Sequence, residues 1–238
     1  MRQSSKTAVK TKSKAKSIQF ASDTFPADQI NELIAHPGVH VTGGHYQFPE
    51  TDGNRVGNHM DALFILEPLT ENAEYVGWIV DDMEQWIDDN NIGFEVVFAP
   101  AQPSAVRIVQ ELVKRRKKKA AFWQYLPTGW FGEKLVEGSI NNGDRVLVFN
   151  SVAQHGRCVG ERLPAFAEQM GGKPVAAAVF AKGTGNGVIA AEERWGERLY
   201  AALQIPIEVS LPNSCSKCTE GGATAEPWTK YAHSGSEE

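Results

Sequence analysis

The sequence predicts an α/β fold with a mostly parallel central sheet flanked by helices. Several strand-like runs are continuously apolar, which is typical of strands covered on both faces. Each run is followed by a segment whose apolar residues recur at helical spacing. The chain has 238 residues, of which 42% are hydrophobic, so one domain can bury a substantial core.

The first strand and helix come from residues 94–116. Residues 94–99 (FEVVFA) are apolar and β-branched, and residues 104–116 then place Ala105, Ile108, Val109 and Leu112 at helical spacing. A second strand is expected over residues 119–125. Together these segments predict one strand, helix, strand unit of a parallel sheet.

Residues 145–152 (RVLVFNSV) carry the strongest strand signal and follow the turn Asn142-Gly143-Asp144. A helix with an apolar face is expected next, stopped by Gly171-Gly172. Residues 174–181 (PVAAAVFA) predict a further strand. Two more elements complete the pattern: a helix striped by Ala191, Trp195, Leu199 and Leu203, and a strand over residues 205–211.

Both ends of the chain are polar, and its charge is unevenly distributed. Residues 1–22 contain six of the Lys and Arg residues and no acid, so the net charge of −5 leaves −11 on the remainder. We expect a flexible basic tail over residues 1–22, one domain over residues 23–230 and a polar tail over residues 231–238. The acidic body should repel nucleic acid. The basic tail is expected to keep the chain soluble, with a nucleic-acid contact as the alternative.

No apolar run approaches the length of a membrane span, and no secretory signal is recognisable, so a cytoplasmic protein without membrane contact is expected. Residues 114–119 (KRRKKK) end a predicted helix, where positive charge complements the helix dipole. A phosphate-rich ligand or RNA is the alternative for that run. No aromatic residues are interleaved with it to support RNA binding.

Three cysteines do not make a disulfide framework. Cys215 and Cys218 form a single CxxC pair, which is half of a zinc site and a weak candidate for one. Structural packing and a metal shared at an oligomer interface are the alternatives. Cys158 lies at a predicted helix start, three residues after His155. It is either a reactive thiol or an inert buried one.

A ligand crevice is expected at the carboxyl ends of the strands. The segment from Asn150 and Ser151 through Arg157 turns from a strand into a helix, so its free backbone N–H groups favour an anion such as phosphate. An ordinary strand-to-helix loop is the alternative. Residues 182–187 (KGTGNG) lack the glycine spacing of a dinucleotide-binding loop and predict a flexible loop on the ligand side. No serine-hydrolase elbow, Walker A loop or HExxH motif occurs.

Six segments together resemble the type I phosphoribosyltransferases, and most closely their orotate phosphoribosyltransferase-like branch. Their order and spacing make the resemblance specific, and it spans most of residues 38–228. The segments are residues 38–45 (GVHVTGGH), 58–63 (NHMDAL), 98–105 (FAPAQPSA), 137–152 and 171–180, and the late Cys215-x-x-Cys218-x-x-Gly221.

The resemblance implies a small hood formed by N- and C-terminal segments, a homodimer and a reaction that displaces pyrophosphate from an activated ribose with the help of Mg²⁺. It implies a role in pyrimidine nucleotide metabolism. The residues that it assigns to the site are Ala153, Gln154, His155, Gly156 and Arg157 at the 5′-phosphate, Ala101, Gln102, Pro103 and Ser104 at the pyrophosphate, and Thr42, Gly43 and Lys182 beside the base.

The sequence departs from the family pattern at the catalytic acids. Asn150 and Ser151 stand where two adjacent acids normally contact the ribose hydroxyls, so the negative charge that favours a developing cation is missing. Pro103 also removes a backbone N–H from the pyrophosphate loop. Two functions follow as hypotheses: an orotate-type phosphoribosyltransferase with an altered site, or a catalytically inactive nucleotide-binding or regulatory module that keeps the phosphate loop.

Overall fold

The computed structural model describes residues 17–48, 57–207, 209–222 and 224–232, and within these ranges eleven strands form two sheets. The strands are β1 (Gln19–Phe20), β2 (His40–Gln47), β3 (His59–Phe64), β4 (Val96–Pro100), β5 (Lys119–Tyr125), β6 (Phe131–Gly138), β7 (Arg145–Ala153), β8 (Lys173–Lys182), β9 (Leu199–Gln204), β10 (Val209–Ser210) and β11 (Glu226–Pro227).

Eight α-helices connect or flank these strands within the described residues. They are α1 (Ala27–Ala35), α2 (Glu67–Thr70), α3 (Ala73–Asp89), α4 (Pro103–Arg116), α5 (Leu163–Gln169), α6 (Asn186–Trp195), α7 (Ser216–Gly221) and α8 (Thr229–Ala232). A single π-helical turn, Cys158–Arg162, leads into α5.

The larger sheet has the order β1-β9-β8-β7-β4-β5-β6. Its five inner strands are parallel, and the edge strands β1 and β6 are antiparallel to their neighbours. Fully buried aliphatic and aromatic residues extend from both faces of this sheet into two hydrophobic clusters. The predicted α/β architecture is therefore confirmed.

The smaller sheet, which we call the hood, has the order β10-β3-β2-β11. Strands β2 and β3 come from the N-terminal part of the chain, whereas β10 and β11 come from the C-terminal part. The expectation of a hood built from both terminal segments is confirmed. The elements from α3 to β9 lie between the two halves in sequence, so the hood joins segments that are distant along the chain.

One predicted helix and one predicted strand were placed wrongly. Leu199 and Leu203 are not on a helix with Trp195, because α6 ends at Trp195 and Gly196 follows with a φ of +54°. Both leucines belong to β9, which occupies residues 199–204 instead of the predicted 205–211. A run of apolar residues fits either helix or strand by spacing, and the glycine decides the outcome.

The N-terminal boundary of the folded chain also differs from the prediction. Gln19 and Phe20, which were placed in the basic tail, pair with Leu203 and Gln204 as an edge strand. The remainder of that tail, residues 1–16, and residues 233–238 of the C-terminal tail lie outside the described residues.

The basic run after residue 113 faces an acidic helix. Arg115 lies 2.5 Å from Asp81 and 2.7 Å from Glu111, and Arg116 lies 2.8 Å from both Glu84 and Asp88. Three of these four acids are on α3, a helix that the sequence analysis did not predict. The run therefore joins α3 to α4. Lys114 also lies 3.6 Å from Glu111 and Lys119 lies 3.7 Å from Asp144, so four of its six cations are paired.

A buried carboxylate fastens the N-terminal segment to the main sheet. Asp82 on α3 is 4% exposed and accepts hydrogen bonds from Ser22 Oγ at 2.9 Å, from Thr24 Oγ1 and from the Tyr200 hydroxyl at 2.7 Å. Burial and the neighbouring carboxylate raise the pKa of Tyr200 well above its usual value, so this phenol is a donor at every physiological pH. The segment before α1 is thus fixed to β9 through one side chain.

We expect Asp82→Ala to lower the free energy of unfolding by about 2–3 kcal/mol, because the buried Tyr200 hydroxyl loses its acceptor. Urea denaturation followed by tryptophan fluorescence measures the loss. Asp81→Ala on the same helix is the matched control: Asp81 is 67% exposed and pairs with Arg115, so it should cost less than about 1 kcal/mol. Equal losses in the two variants would contradict the role given to Asp82.

Candidate active site

A cavity of about 650 Å³ lies between the carboxyl ends of the main-sheet strands and the hood. The main sheet contributes polar groups from Gln102, Asn150 and the loop after β7. The hood and its flanking segments contribute mostly apolar side chains, including Phe48 and Trp228. This is the crevice position that a parallel α/β sheet predicts.

The loop after β7 presents unpaired backbone donors at the cavity. Gln154, His155, Gly156 and Arg157 line the cavity. Within the described part of the chain, none of their backbone N–H groups donates to another backbone group. The π-helical turn begins directly afterwards. Consecutive free N–H groups at the start of a helical segment are a general arrangement for binding an anion.

Glycines hold this loop against the start of α6. Gly156 has a φ of +91°, and a Cβ there would overlap the backbone of Gly187 and Val188. A Cβ at Gly187 would overlap the carbonyl oxygen of His155, and one at Gly183 would overlap that of Gln154. The 182–187 segment therefore supports the loop from behind instead of forming a flexible loop on the ligand side.

Asn150 faces the cavity, but Ser151 does not line it. The Asn150 side chain donates to Cys158 Sγ at 3.0 Å and to the Val152 carbonyl at 3.3 Å. Its Oδ1 is buried without a hydrogen-bond partner. Ser151 is 1% exposed, and its hydroxyl lies 2.8 Å from that of Ser104. Of the two positions where the family pattern has acids, only Asn150 therefore lines the cavity.

Glu67, which the sequence analysis missed, places a carboxylate at the cavity. Its Oε1 accepts a hydrogen bond from Gln102 Nε2 at 2.6 Å and from Ser104 Oγ at 3.0 Å. Among the described residues that line the cavity, it is the one acid. The available signal was the Glu67-Pro68 pair after an apolar strand, which is typical of a helix start.

The segment predicted to hold pyrophosphate offers few backbone donors. The Ala101 N–H donates to the Trp123 carbonyl at 2.7 Å, and Pro103 at the start of α4 has no N–H. Ser104 is fully buried. Of these predicted residues only Gln102 lines the cavity, so any contact with a diphosphate there falls to its side chain.

Positive charge lies on one side of the cavity. Arg157 pairs with Glu161 at 3.0 Å, and the Arg162 guanidinium stacks over the Trp130 ring at 3.9 Å. Burial, with a contribution from Arg157, lowers the pKa of His155. The histidine is therefore neutral at pH 7, and the arginines supply the charge.

The residues predicted to border the base lie elsewhere. Thr42 is exposed, and Gly43 has a φ of +78° at an irregularity of β2 and lines a separate shallow depression. Lys182 forms an ion pair with Glu192 at 2.7 Å. Residues 42–44 do not line the cavity, whereas Phe48 at the end of β2 does.

Two remaining predictions concern Ala153 and Cys158. Ala153 is 1% exposed and packs in the core beneath the loop.

Burial raises the pKa of the Cys158 thiol, although Asn150 and nearby backbone N–H groups act in the opposite direction. The thiol stays protonated at neutral pH, which argues against a reactive cysteine.

Four side chains with metal-binding atoms converge outside this cavity. They are His45, His59, Cys215 and Cys218, and their donor atoms all lie within 4.8 Å of one another. The CxxC spacing indicates the two cysteines as candidate ligands. No local pattern indicates the two histidines, because only the folded strands bring these residues, distant in sequence, together.

Among the described residues, no helix is both long and apolar enough to cross a membrane.

No protein-family model matches the chain. A curated relative, the orotate phosphoribosyltransferase of Carboxydothermus hydrogenoformans, is 25% identical over 175 residues, covering 73% of this chain and 86% of that protein. The crystal structure of Mycobacterium tuberculosis orotate phosphoribosyltransferase with Fe(III) dicitrate aligns with a TM-score of 0.52 at 18% identity. That alignment covers 74% of this chain and 96% of that one.

The orotate phosphoribosyltransferase of Aeropyrum pernix aligns with a TM-score of 0.50 at 18% identity, over 70% of this chain and 86% of that one. These likenesses confirm the resemblance drawn from the motifs. The chain has the type I phosphoribosyltransferase fold. Its likeness in sequence is to the orotate phosphoribosyltransferases.

We expect Gly156→Ala to destabilise the protein by more than about 2 kcal/mol, because the new methyl group overlaps backbone atoms that cannot move aside. Gly143→Ala is the matched control: its φ is +87°, but a Cβ there has open space, so it should cost only about 1 kcal/mol. Thermal unfolding by circular dichroism compares the two. A smaller loss at Gly156 than at Gly143 would show that the loop does not depend on this close approach.

Proposed function

We propose that the cavity binds a phosphorylated ribose compound, phosphoribosyl pyrophosphate or a nucleotide, with its 5′-phosphate on the loop from Ala153 to Arg157. The observation that carries this proposal is the set of unpaired backbone N–H groups of Gln154 to Arg157 at the cavity surface. A phosphate oxygen accepts hydrogen bonds from such groups at little reorganisation cost. The side chains of Arg157 and Arg162 favour the same charge.

The ribose then lies over Asn150, whose Oδ1 is buried without a partner and would accept a hydrogen bond from a sugar hydroxyl once the side chain turns toward the cavity. Gln102 and Glu67 lie on the side assigned to the diphosphate. Mg²⁺ is held in proteins by one or two carboxylates together with phosphate oxygens. Glu67 fits that requirement and would hold the ion beside the diphosphate, where a bound Mg²⁺ would offset the charge of the leaving group.

The geometry also supports transfer of the phosphoribosyl group to a pyrimidine-type base. In that reaction the bond from ribose C1′ to the pyrophosphate oxygen breaks, a C1′–N bond forms, and the base nitrogen loses its proton. Phe48, Tyr125 and Trp130 offer flat apolar surface for a base. Glu67 supplies the one nearby negative charge that favours a cationic transition state, now that the acid pair is replaced.

A second candidate is a nucleotide-binding module without transferase activity. Asn150 and Ser151 motivate it, because neutral side chains can bind ribose hydroxyls yet do not stabilise a developing cation. Both candidates share the phosphate loop and differ only in product formation. A homodimer in the cytoplasm is part of the first candidate, on the family resemblance alone, and analytical ultracentrifugation tests the dimer.

Binding is tested by isothermal titration calorimetry. We expect ribose 5-phosphate and phosphoribosyl pyrophosphate with Mg²⁺ to bind, and ribose without a phosphate to give no heat. Arg157→Ala should weaken both ligands about tenfold, since it removes a charge-assisted contact worth about 1.5 kcal/mol. Arg194→Ala is the control, because Arg194 pairs with Glu168 and lines no part of the cavity. No heat from any phosphorylated ligand at millimolar concentration would refute the proposal.

Transfer is tested by a coupled assay with orotate, uracil and purine bases. We expect product with a pyrimidine, and Glu67→Gln should lower kcat about 100-fold, equal to about 2.7 kcal/mol, while ribose 5-phosphate binds within threefold of wild type. Glu71→Gln, an exposed change at the end of α2, should leave kcat unchanged. If the wild type is inactive and Asn150→Glu with Ser151→Asp gains activity, the inactive module is the correct candidate.

A further inference from the structure

Four side chains from three elements point their donor atoms at one position behind the cavity. His45 Nε2 lies 3.0 Å from His59 Nδ1 and 3.3 Å from Cys215 Sγ. Cys218 Sγ lies 3.3 Å from His59 Nδ1 and 3.7 Å from His45 Nε2. His45, His59 and Cys215 are less than 10% exposed, and Cys218 is half-buried.

These separations match a tetrahedral zinc site. Ideal Zn–N and Zn–S bonds place two nitrogens about 3.4 Å apart and a nitrogen and a sulfur about 3.6 Å apart. The observed nitrogen–sulfur distances of 3.3–3.7 Å bracket the second value, and the nitrogen pair is slightly closer than the first. Small side-chain shifts would therefore admit the ion.

The fold supplies these ligands from two distant parts of the chain. Strands β2 and β3 pair in the hood and bring His45 beside His59. Cys215 precedes α7 and Cys218 lies in its first turn, so the CxxC spacing turns both sulfurs to one side.

We propose that His45, His59, Cys215 and Cys218 bind one zinc ion, which ties the C-terminal segment to the hood. Four protein ligands fill a tetrahedral ion, so the site is structural and leaves no position for a substrate. Two thiolates and two imidazoles are soft and borderline ligands, which favour zinc over Mg²⁺ or Ca²⁺.

The ion would shape one wall of the cavity from outside. Leu211 and Pro212 line the cavity and lie between β10 and the zinc ligand Cys215. Lys217, between the two cysteines, also donates to the Gly44 carbonyl beside His45. Fixing α7 to the hood thus fixes the residues 211–213 that close the cavity. This inference stands independently of what the cavity binds.

The test uses the full chain purified under reducing conditions and dialysed against metal-free buffer. We expect elemental analysis to find about one zinc ion per chain. After removal of zinc, Co²⁺ should give the intense visible bands of a tetrahedral ion together with a thiolate-to-cobalt charge-transfer band. Less than about 0.1 zinc per chain after reconstitution, or an octahedral cobalt spectrum, would overturn the proposal. So would a Cys215–Cys218 disulfide that persists after purification under reducing conditions.

Matched variants identify the ligands. Cys218→Ser and His59→Ala should each weaken zinc binding at least about 100-fold, since each removes a direct ligand. Cys158→Ser and His36→Ala remove the same residue types away from the cluster and should retain about one zinc ion per chain. Equal loss of zinc in ligand and control variants would overturn the assignment. The cobalt spectrum of the wild type decides the question if a ligand variant fails to fold.

Discussion

The close approach of two backbone segments behind the loop after β7 determines the rest of the site. The Gly156 Cα lies against the peptide that joins Gly187 to Val188, and only glycine fits on both sides of that contact. With this contact made, residues 154–157 after β7 adopt a conformation in which successive backbone N–H groups have no backbone acceptor. A larger residue would push the loop off α6 and into the cavity. The proposed anion site therefore depends on packing between backbones rather than on particular side chains.

The cavity combines two surfaces of different character. Parallel strands of the main sheet end in backbone donors and amide side chains, whereas the hood contributes flat apolar groups such as Phe48 and Trp228. A ligand with a charged phosphate at one end and a flat ring at the other matches both surfaces at once. Because the hood joins both terminal segments, the cavity exists only in the completed fold.

Much of the main sheet was predictable from local sequence, because buried parallel strands are continuous apolar runs with clear ends. The range predicted for β5, residues 119–125, agrees fully with the structure. The hood strands were not predicted individually, since β2 is rich in glycine and half exposed. The site roles of Glu67, His45 and His59 were not predicted for a further reason. The side chains that contact each of them come from segments far away in sequence. By contrast, the loop proposed to bind phosphate is local. Its predicted turn from a strand into a helix is confirmed between β7 and the π-helical turn, and phosphate binding there stays a prediction.

The loss of the acid pair and the presence of Glu67 belong to one electrostatic arrangement. Ser151 is buried, and a single hydroxyl, that of Ser104, separates it from the Glu67 carboxylate. An aspartate at position 151 would place a second negative charge close to Glu67 in a site with little water. Like charges in that setting cannot both ionise without cost, and one carboxyl would hold a proton. A neutral serine avoids the conflict and continues the hydrogen-bond chain through Ser104 to Glu67, the one carboxylate that lines the cavity among the described residues.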